Sequence, residues 1–287
     1  MSEAGRREGA AAVAKAVAES RRYRAVDPAV VRRLADEELS RARSTDDAIK
    51  RVKRRLHQAV GAYRPGRQTG QEREIERLIA ARREDPSGGE LRSACRDLMA
   101  HHASTRERLP YLDRFYAGLW DSIGGAPASL LDLGCGLAPL ALPWMGLSAS
   151  AEYVAIDADA AAIALVEGFL STVGQPHLTE VRDLAATFNP PPAEVALLLK
   201  LVPILDHQRP DAALRLIQRL TVGRVVLSFP VRSLGGRRRG METTYRRRFD
   251  ALLTALGRDA GDVREASIPN ELVFVMKMRP SEGGVGA

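Results

Sequence analysis

The chain has 287 residues, is 45% hydrophobic and 28% charged, and carries a formal net charge of +7. That length and apolar share suffice for one large domain or two smaller ones with a sizeable core. No apolar run approaches the roughly 18–20 residues that span a bilayer, and the polar amino terminus lacks a secretory apolar stretch, so a cytoplasmic protein without membrane contact is expected. The two cysteines, Cys95 and Cys135, make neither a disulfide framework nor a metal-ligand pattern, and no metal is expected.

The charge is unevenly placed. Residues 1–110 hold 25 Lys and Arg against 17 Asp and Glu, whereas residues 111–287 hold 18 against 19. A basic front joined to a near-neutral remainder suggests that one part grips a polyanion while the other does chemistry, the alternative being a solvated charged surface. The front reads as helices. Ala11 to Tyr23 is rich in Ala and Val, and Asp27-Pro28 opens a second helix to about Ala42 with a capping carboxylate before a first-turn proline. Ser44-Thr45-Asp46-Asp47 starts a third, with acids where the helix dipole favours them.

In that third helix Ile49, Val52, Leu56, Val60 and Tyr63 recur at spacings of three and four and form one buried stripe. Its other positions are cationic. Lys50, Arg51, Lys53, Arg54, Arg55, Arg64 and Arg67 stand between residues 50 and 70 with no acid among them. Like charges so placed repel one another unless phosphates neutralise them, and with Tyr63 the sole aromatic, shape and phosphate readout of folded RNA fits better than base stacking. Gln71 to Glu84 and a segment from Leu91 continue as helices, and the adjacent His101 and His102 do not share a helix face as metal ligands would.

Leu130-Leu131-Asp132-Leu133 is a short apolar run that ends in the turn Gly134-Cys135-Gly136-Leu137-Ala138-Pro139. It reads as the first strand of an open α/β sheet, which binds ligands at the carboxyl ends of its strands, with glycines that let backbone amides approach. Twenty-one residues after Gly136, Asp157 closes a second apolar run, Tyr153-Val154-Ala155-Ile156, and places a carboxylate where a ribose diol would lie. A dinucleotide fingerprint wants Gly or Ala at its sixth position, which here is Pro139. With Asp132 before the glycines and Asp183 after Leu178-Thr179-Glu180-Val181-Arg182, the pattern resembles an S-adenosylmethionine-dependent methyltransferase. A nicotinamide enzyme and a plain tight turn are the alternatives.

Farther on, Val195-Ala196-Leu197-Leu198-Leu199 reads as a strand buried on both faces, with Lys200 leaving its carboxyl end. Gln208 to Thr221 reads as the crossover helix and Arg224 to Phe229 as the next strand, so Ser228-Phe229-Pro230 falls at the ligand-binding edge. There Phe229 is a candidate to stack on a flipped guanine, or an ordinary core residue. Gly235-Gly236-Arg237-Arg238-Arg239-Gly240 reads as a cationic loop over that edge, and Met241 to Leu256 as a helix. Asp262 to Ala266 and Glu271 to Met278 read as a closing antiparallel pair, before a flexible tail at 281–287.

Three blocks make the likeness specific. His102-Ala103-Ser104-Thr105-Arg106-Glu107-Arg108-Leu109 with Leu112-Asp113-Arg114-Phe115-Tyr116 is the first, and Cys135-Gly136-Leu137-Ala138-Pro139-Leu140-Ala141-Leu142-Pro143-Trp144-Met145 is the second. Ser228-Phe229-Pro230, Ser233-Leu234-Gly235-Gly236-Arg237 and Gly240-Met241-Glu242 form the third. In this order, behind a basic helical front, they resemble the aminoglycoside-resistance 16S rRNA (guanine-1405-N7)-methyltransferases.

The resemblance implies a Rossmann-like class I methyltransferase sheet at 106–280 behind an N-terminal helical, rRNA-binding domain at 1–105. It implies methyl transfer from S-adenosylmethionine, leaving S-adenosylhomocysteine, to a guanine N7 of 16S rRNA in the assembled 30S subunit. The implied outcome is resistance to 4,6-disubstituted deoxystreptamine aminoglycosides, with the enzyme acting as a monomer. Arg108 would meet the cofactor carboxylate, Asp157 the ribose and Asp183 the adenine, with Gly134, Cys135, Gly136, Leu184 and Lys200 around them. Ser228, Phe229 and Pro230 would position the target base, and the Lys50–Arg67 cations with Arg237, Arg238 and Arg239 would hold RNA. A small-molecule methyltransferase and a non-catalytic RNA-binding protein remain as alternatives.

Overall fold

A computed structural model describes residues 3–59, 71–85, 88–231 and 241–278. Helices α1 (Glu3–Ala18), α2 (Pro28–Leu39) and α3 (Thr45–Ala59) pack together around Val13, Val17, Leu34, Val52 and Leu56. The second starts where its sequence places it, because Asp27 accepts the Ala29 N–H at 2.8 Å and Pro28 sits in the first turn. The first ends before Tyr23, which turns back instead and donates its hydroxyl to the Lys53 carbonyl at 3.1 Å.

Helices α4 (Gln71–Glu84) and α5 (Gly89–Ala100) do not join that bundle. Leu78, Leu91, Cys95, Leu98 and Met99 are buried together with residues of the sheet. The residues of α1–α3 thus share one core, and those of α4 and α5 share another with the sheet. Two further helices, α6 (Ala103–Arg106) and α7 (Leu112–Ile123), lead into the sheet.

The strands are β1 (Ser129–Leu133), β2 (Glu152–Asp157), β3 (His177–Val181), β4 (Ala193–Leu199), β5 (Val222–Pro230), β6 (Val263–Ala266) and β7 (Glu271–Lys277). They form one seven-stranded sheet in the order β3-β2-β1-β4-β5-β7-β6. The first five are parallel, and β7 returns antiparallel to both β5 and β6. Helices α8 (Leu142–Met145), α9 (Ala160–Val173), α10 (Val202–Gln208), α11 (Ala212–Ile217) and α12 (Met241–Ala255) complete the chain. One face of the sheet is covered by α4, α5, α7 and α9, the other by α10, α11 and α12. Burial on both sides explains why β4 is a continuous apolar run.

Of the single crossover helix expected over 208–221 only α11 forms, at Ala212–Ile217, and α10 (Val202–Gln208) precedes it and ends where the expected helix would begin. Arg209, the residue before Pro210, is extended at φ −153°, as a proline's predecessor must avoid the helical region. Strand order reverses at β1, whose neighbours are β2 and β4, and the crevice outside their carboxyl ends is the position where such sheets bind ligands.

Candidate active site

Leaving β1, Gly134 and Gly136 adopt φ values of 67° and 50°, the left-handed region that favours glycine. The turn is fastened to β2, since Gly134 N–H donates to the Ile156 carbonyl and Gly136 N–H to Asp157 Oδ2, each at 2.8 Å. Asp157 Oδ1 accepts the Asp159 N–H at 2.8 Å, so both oxygens are oriented by backbone at the end of β2. Above the turn lies a cleft of about 730 Å³, open mouth included, lined among others by Gly134, Gly136, Asp157, Asp183, Leu184 and Lys200. Its lining combines apolar walls such as Leu199, Leu201 and Ile204 with polar groups such as Asp157 and Asp183, the mixture that fixes and orients a small ligand. A Cβ on Gly136 would lie 3.1 Å from the His102 ring, and one on Gly134 2.7 Å from Leu201 Cδ1. Cys135 is buried, and burial above all pushes its thiol pKa up, which removes it as a nucleophile.

Asp183 reaches the cleft, but its carboxylate is already engaged. Arg33 of α2 donates to its two oxygens at 2.6 and 3.0 Å, and the Ala185 N–H donates to Oδ1 at 3.0 Å. Lys200 leaves β4 at φ 60° with its N–H on the Ser228 carbonyl at 3.0 Å. Its ammonium is paired with Glu107 and lies 3.5 Å from Glu271.

Arg108 does not line the cleft. It is 2% exposed and donates through Nε and Nη2 to Glu271 at 2.5 and 2.8 Å, with its guanidinium 4.7 Å from the Phe115 ring centre. Glu271 heads the antiparallel return strand β7, so only the folded sheet brings it under the site. Burial raises the Glu271 pKa, but the charges of Arg108 and Lys200 and hydrogen bonds from Arg108 and Ser228 outweigh it, leaving the carboxyl below its usual range. Arg108, Glu271, Lys200 and Glu107 thus form a chain of alternating charge beside the cleft.

Ser228 and Phe229 are both fully buried. The Phe229 ring stacks on Tyr245 at 5.2 Å and meets Phe274 edge-on at 6.1 Å, so it packs in the core rather than facing a base. The face of α3 is also divided. Arg51 donates to Glu38 at 2.8 Å, while Arg55 bonds Glu37 at 2.8 Å, Glu38 at 2.9 Å and the Gln208 carbonyl. The acids that neutralise these two arginines lie on α2, which a charge count along α3 does not show. Lys50 and Arg54 are exposed and Lys53 is half-buried, and these three remain available to a polyanion among the described residues. Arg64, Arg67, Arg237, Arg238 and Arg239, the 235–240 loop and the tail at 281–287 lie outside the described residues.

The sequence reading missed several lining residues, among them His102, Ser104, Val30, Ala59 and Gln208. His102 Nδ1 is 2.9 Å from Ser104 Oγ. Adjacent histidines raise only the question of a metal, and among the described residues no group of three or more His, Cys, Asp or Glu is placed to hold one. No described helix is long and apolar enough to cross a membrane.

Known proteins agree with this geometry. A family model described as ribosomal RNA methyltransferase (FmrO) matches residues 19–275. The 16S rRNA (guanine(1405)-N(7))-methyltransferase of Frankia casuarinae is 40% identical over 270 residues, covering 92% of each chain. Its namesake from Micromonospora echinospora is 40% identical over 267 residues, covering 92% of this chain and 95% of the other. Among solved structures, 16S rRNA methyltransferase RmtF in complex with S-adenosyl-L-homocysteine superposes with a TM-score of 0.78 at 31% identity, covering 97% of this chain and 100% of that one. A glycine turn and an acid at adjacent strand ends, one parallel sheet with an antiparallel return, and a sequence match running through both the helical front and the sheet are one body of observation: the chain belongs to the ribosomal RNA methyltransferase (FmrO) family.

Proposed function

We propose that the chain transfers the methyl group of S-adenosylmethionine to N7 of guanine 1405 in 16S rRNA, acting as a cytoplasmic monomer on the assembled 30S subunit. The modification would confer resistance to 4,6-disubstituted deoxystreptamine aminoglycosides. The observation that carries this reading is the 40% identity, over 92% of both chains, to a protein named for that reaction. The cleft supports the cofactor assignment, because two positive-φ glycines, where any side chain would crowd Leu201 and His102, line it together with Asp157 at the ends of adjacent strands.

Gly134 and Gly136 would hold the amino-acid end of the cofactor, Asp157 its ribose, and Asp183 with Leu184 its adenine. When bound, S-adenosylmethionine supplies an electrophilic methyl group on a sulfonium sulfur. Guanine N7 carries a lone pair and no proton, so no general base is required. N7 would take up the methyl carbon as the sulfur left with its bonding pair, which would pass the positive charge to the guanine. The residues of this chain have to align the partners and exclude water, with orientation as the main contribution. Lys200 lines the cleft but is paired with Glu107 and Glu271, so it would present no uncompensated cation to a sulfonium held there.

Incubation with labelled S-adenosylmethionine and purified 30S subunits, followed by mapping of the labelled base, tests the reading. Label at guanine 1405 N7 is expected. Unlabelled subunits, with the cofactor bound, would redirect the search to another acceptor.

A further inference from the structure

Arg33 belongs to the helical unit whose charge pattern pointed to RNA, yet its guanidinium is turned inward. Its side chain is 12% exposed, against 4% for Asp183. Nε and Nη2 donate to the two Asp183 oxygens at 2.6 and 3.0 Å, and Nη2 also donates to Gln208 Oε1 at 2.8 Å. Asp183 and Gln208 both line the cleft, as does Val30, which precedes Arg33 by about one turn of α2.

The start of α2 is itself anchored to the loop after Asp157. Asp27 N–H donates to the Ala158 carbonyl and Ala160 N–H to the Ala25 carbonyl, both at 2.8 Å, with Val26 and Asp159 in an antiparallel bridge. The helix is thus tied to the backbone on the Asp157 side of the cleft while its arginine holds the Asp183 side. A buried carboxylate needs a compensating partner, and a planar fork fixes its orientation as well as its charge.

We propose that Arg33 is a positioning residue of the cofactor pocket, setting the Asp183 carboxylate and the Gln208 amide, so that the amino-terminal helical unit completes the pocket of the methyltransferase sheet. This rests on the reading that the cleft holds S-adenosylmethionine. Arg33 touches the walls of the pocket and acts through them.

The test is calorimetric binding of S-adenosylhomocysteine to the full chain. Wild type is expected to bind, and failure of wild type to bind would overturn the cofactor reading together with this proposal. With wild type binding, Arg33→Ala is expected to weaken affinity about tenfold or more, on the scale of lost hydrogen bonds to a charged group. Arg33→Lys, which keeps the charge and loses the fork, should recover part of that loss. Val13→Ala, which opens a gap in the core of the same helical unit without touching Asp183, should lower thermal stability and leave affinity within about twofold of wild type.

In an Asp183→Asn background, Arg33→Ala should have little further effect, because residues acting through one another are non-additive. Unchanged affinity in Arg33→Ala, an equal loss in Val13→Ala, or a full additional loss in the Asp183→Asn background would each overturn the proposal while sparing the cofactor reading. If Arg33→Ala does not fold, Arg33→Gln carries the same expectation.

Discussion

Removing the Glu271 carboxylate should be among the most damaging single changes near the site. The residue is buried, with Arg108 on both of its oxygens at 2.5 and 2.8 Å and Lys200 at 3.5 Å. Glu271→Ala leaves a guanidinium that is itself only 2% exposed without its carboxylate, and the alanine has nothing to offer it. Breaking a buried pair from one side costs about 3–5 kcal/mol, chiefly because the remaining charge is desolvated and uncompensated. In a chain of 287 residues each kcal/mol moves the melting temperature by roughly 2 °C, so a fall of about 6–10 °C is expected.

Thermal and urea unfolding of the full chain measure the loss. The double variant Arg108→Met with Glu271→Leu removes both charges and keeps apolar volume, so it should recover most of it, while Lys200 retains Glu107. A Glu271→Ala protein within about 1 kcal/mol of wild type, or a double variant no better than the single, would refute the reasoning.

Asp157→Ala should weaken S-adenosylhomocysteine binding about tenfold or more by calorimetry, and unchanged affinity would remove the ribose assignment. Lys50→Glu combined with Arg54→Glu should lower 30S affinity and reduce the salt slope by about one for each phosphate no longer neutralised, with cofactor affinity unaffected. Arg55 is left unchanged because Glu37, Glu38 and the Gln208 carbonyl already engage it; subunit affinity equal to wild type would remove α3 from the interface.

Asp132 makes a pH prediction. Burial raises its pKa to about 7, against the opposing effects of the Tyr153 hydroxyl at 2.8 Å and the Arg108 charge. A folded value above the unfolded one means that this group's contribution to stability is present below about pH 4 and lost as pH rises through 7, a change on the order of 4 kcal/mol. Asp132→Asn, neutral throughout, should therefore gain on wild type by a few kcal/mol between about pH 5 and pH 8, and parallel pH–stability curves for the two proteins would contradict the assignment.

Local chemistry was legible without coordinates wherever it concerned neighbours in the chain. Asp27-Pro28 predicted the start of α2, the Gly134–Gly136 turn after an apolar run predicted β1 and its crevice, and the spacing to Asp157 predicted the acid at the end of β2. These depend on backbone φ preferences, capping and the period of burial, all of which act over a few residues. What the fold alone decided was who stands opposite whom. Glu37 and Glu38 neutralise Arg51 and Arg55 from another helix, Glu271 takes Arg108 across a gap of 163 residues, and Arg33 reaches Asp183 across 150. Phe229 likewise lies at the strand end its sequence predicts, but which way its ring packs was set by Tyr245 and Phe274. Charge pairing and side-chain packing depend on distances through space, and a linear pattern contains those distances only within one element.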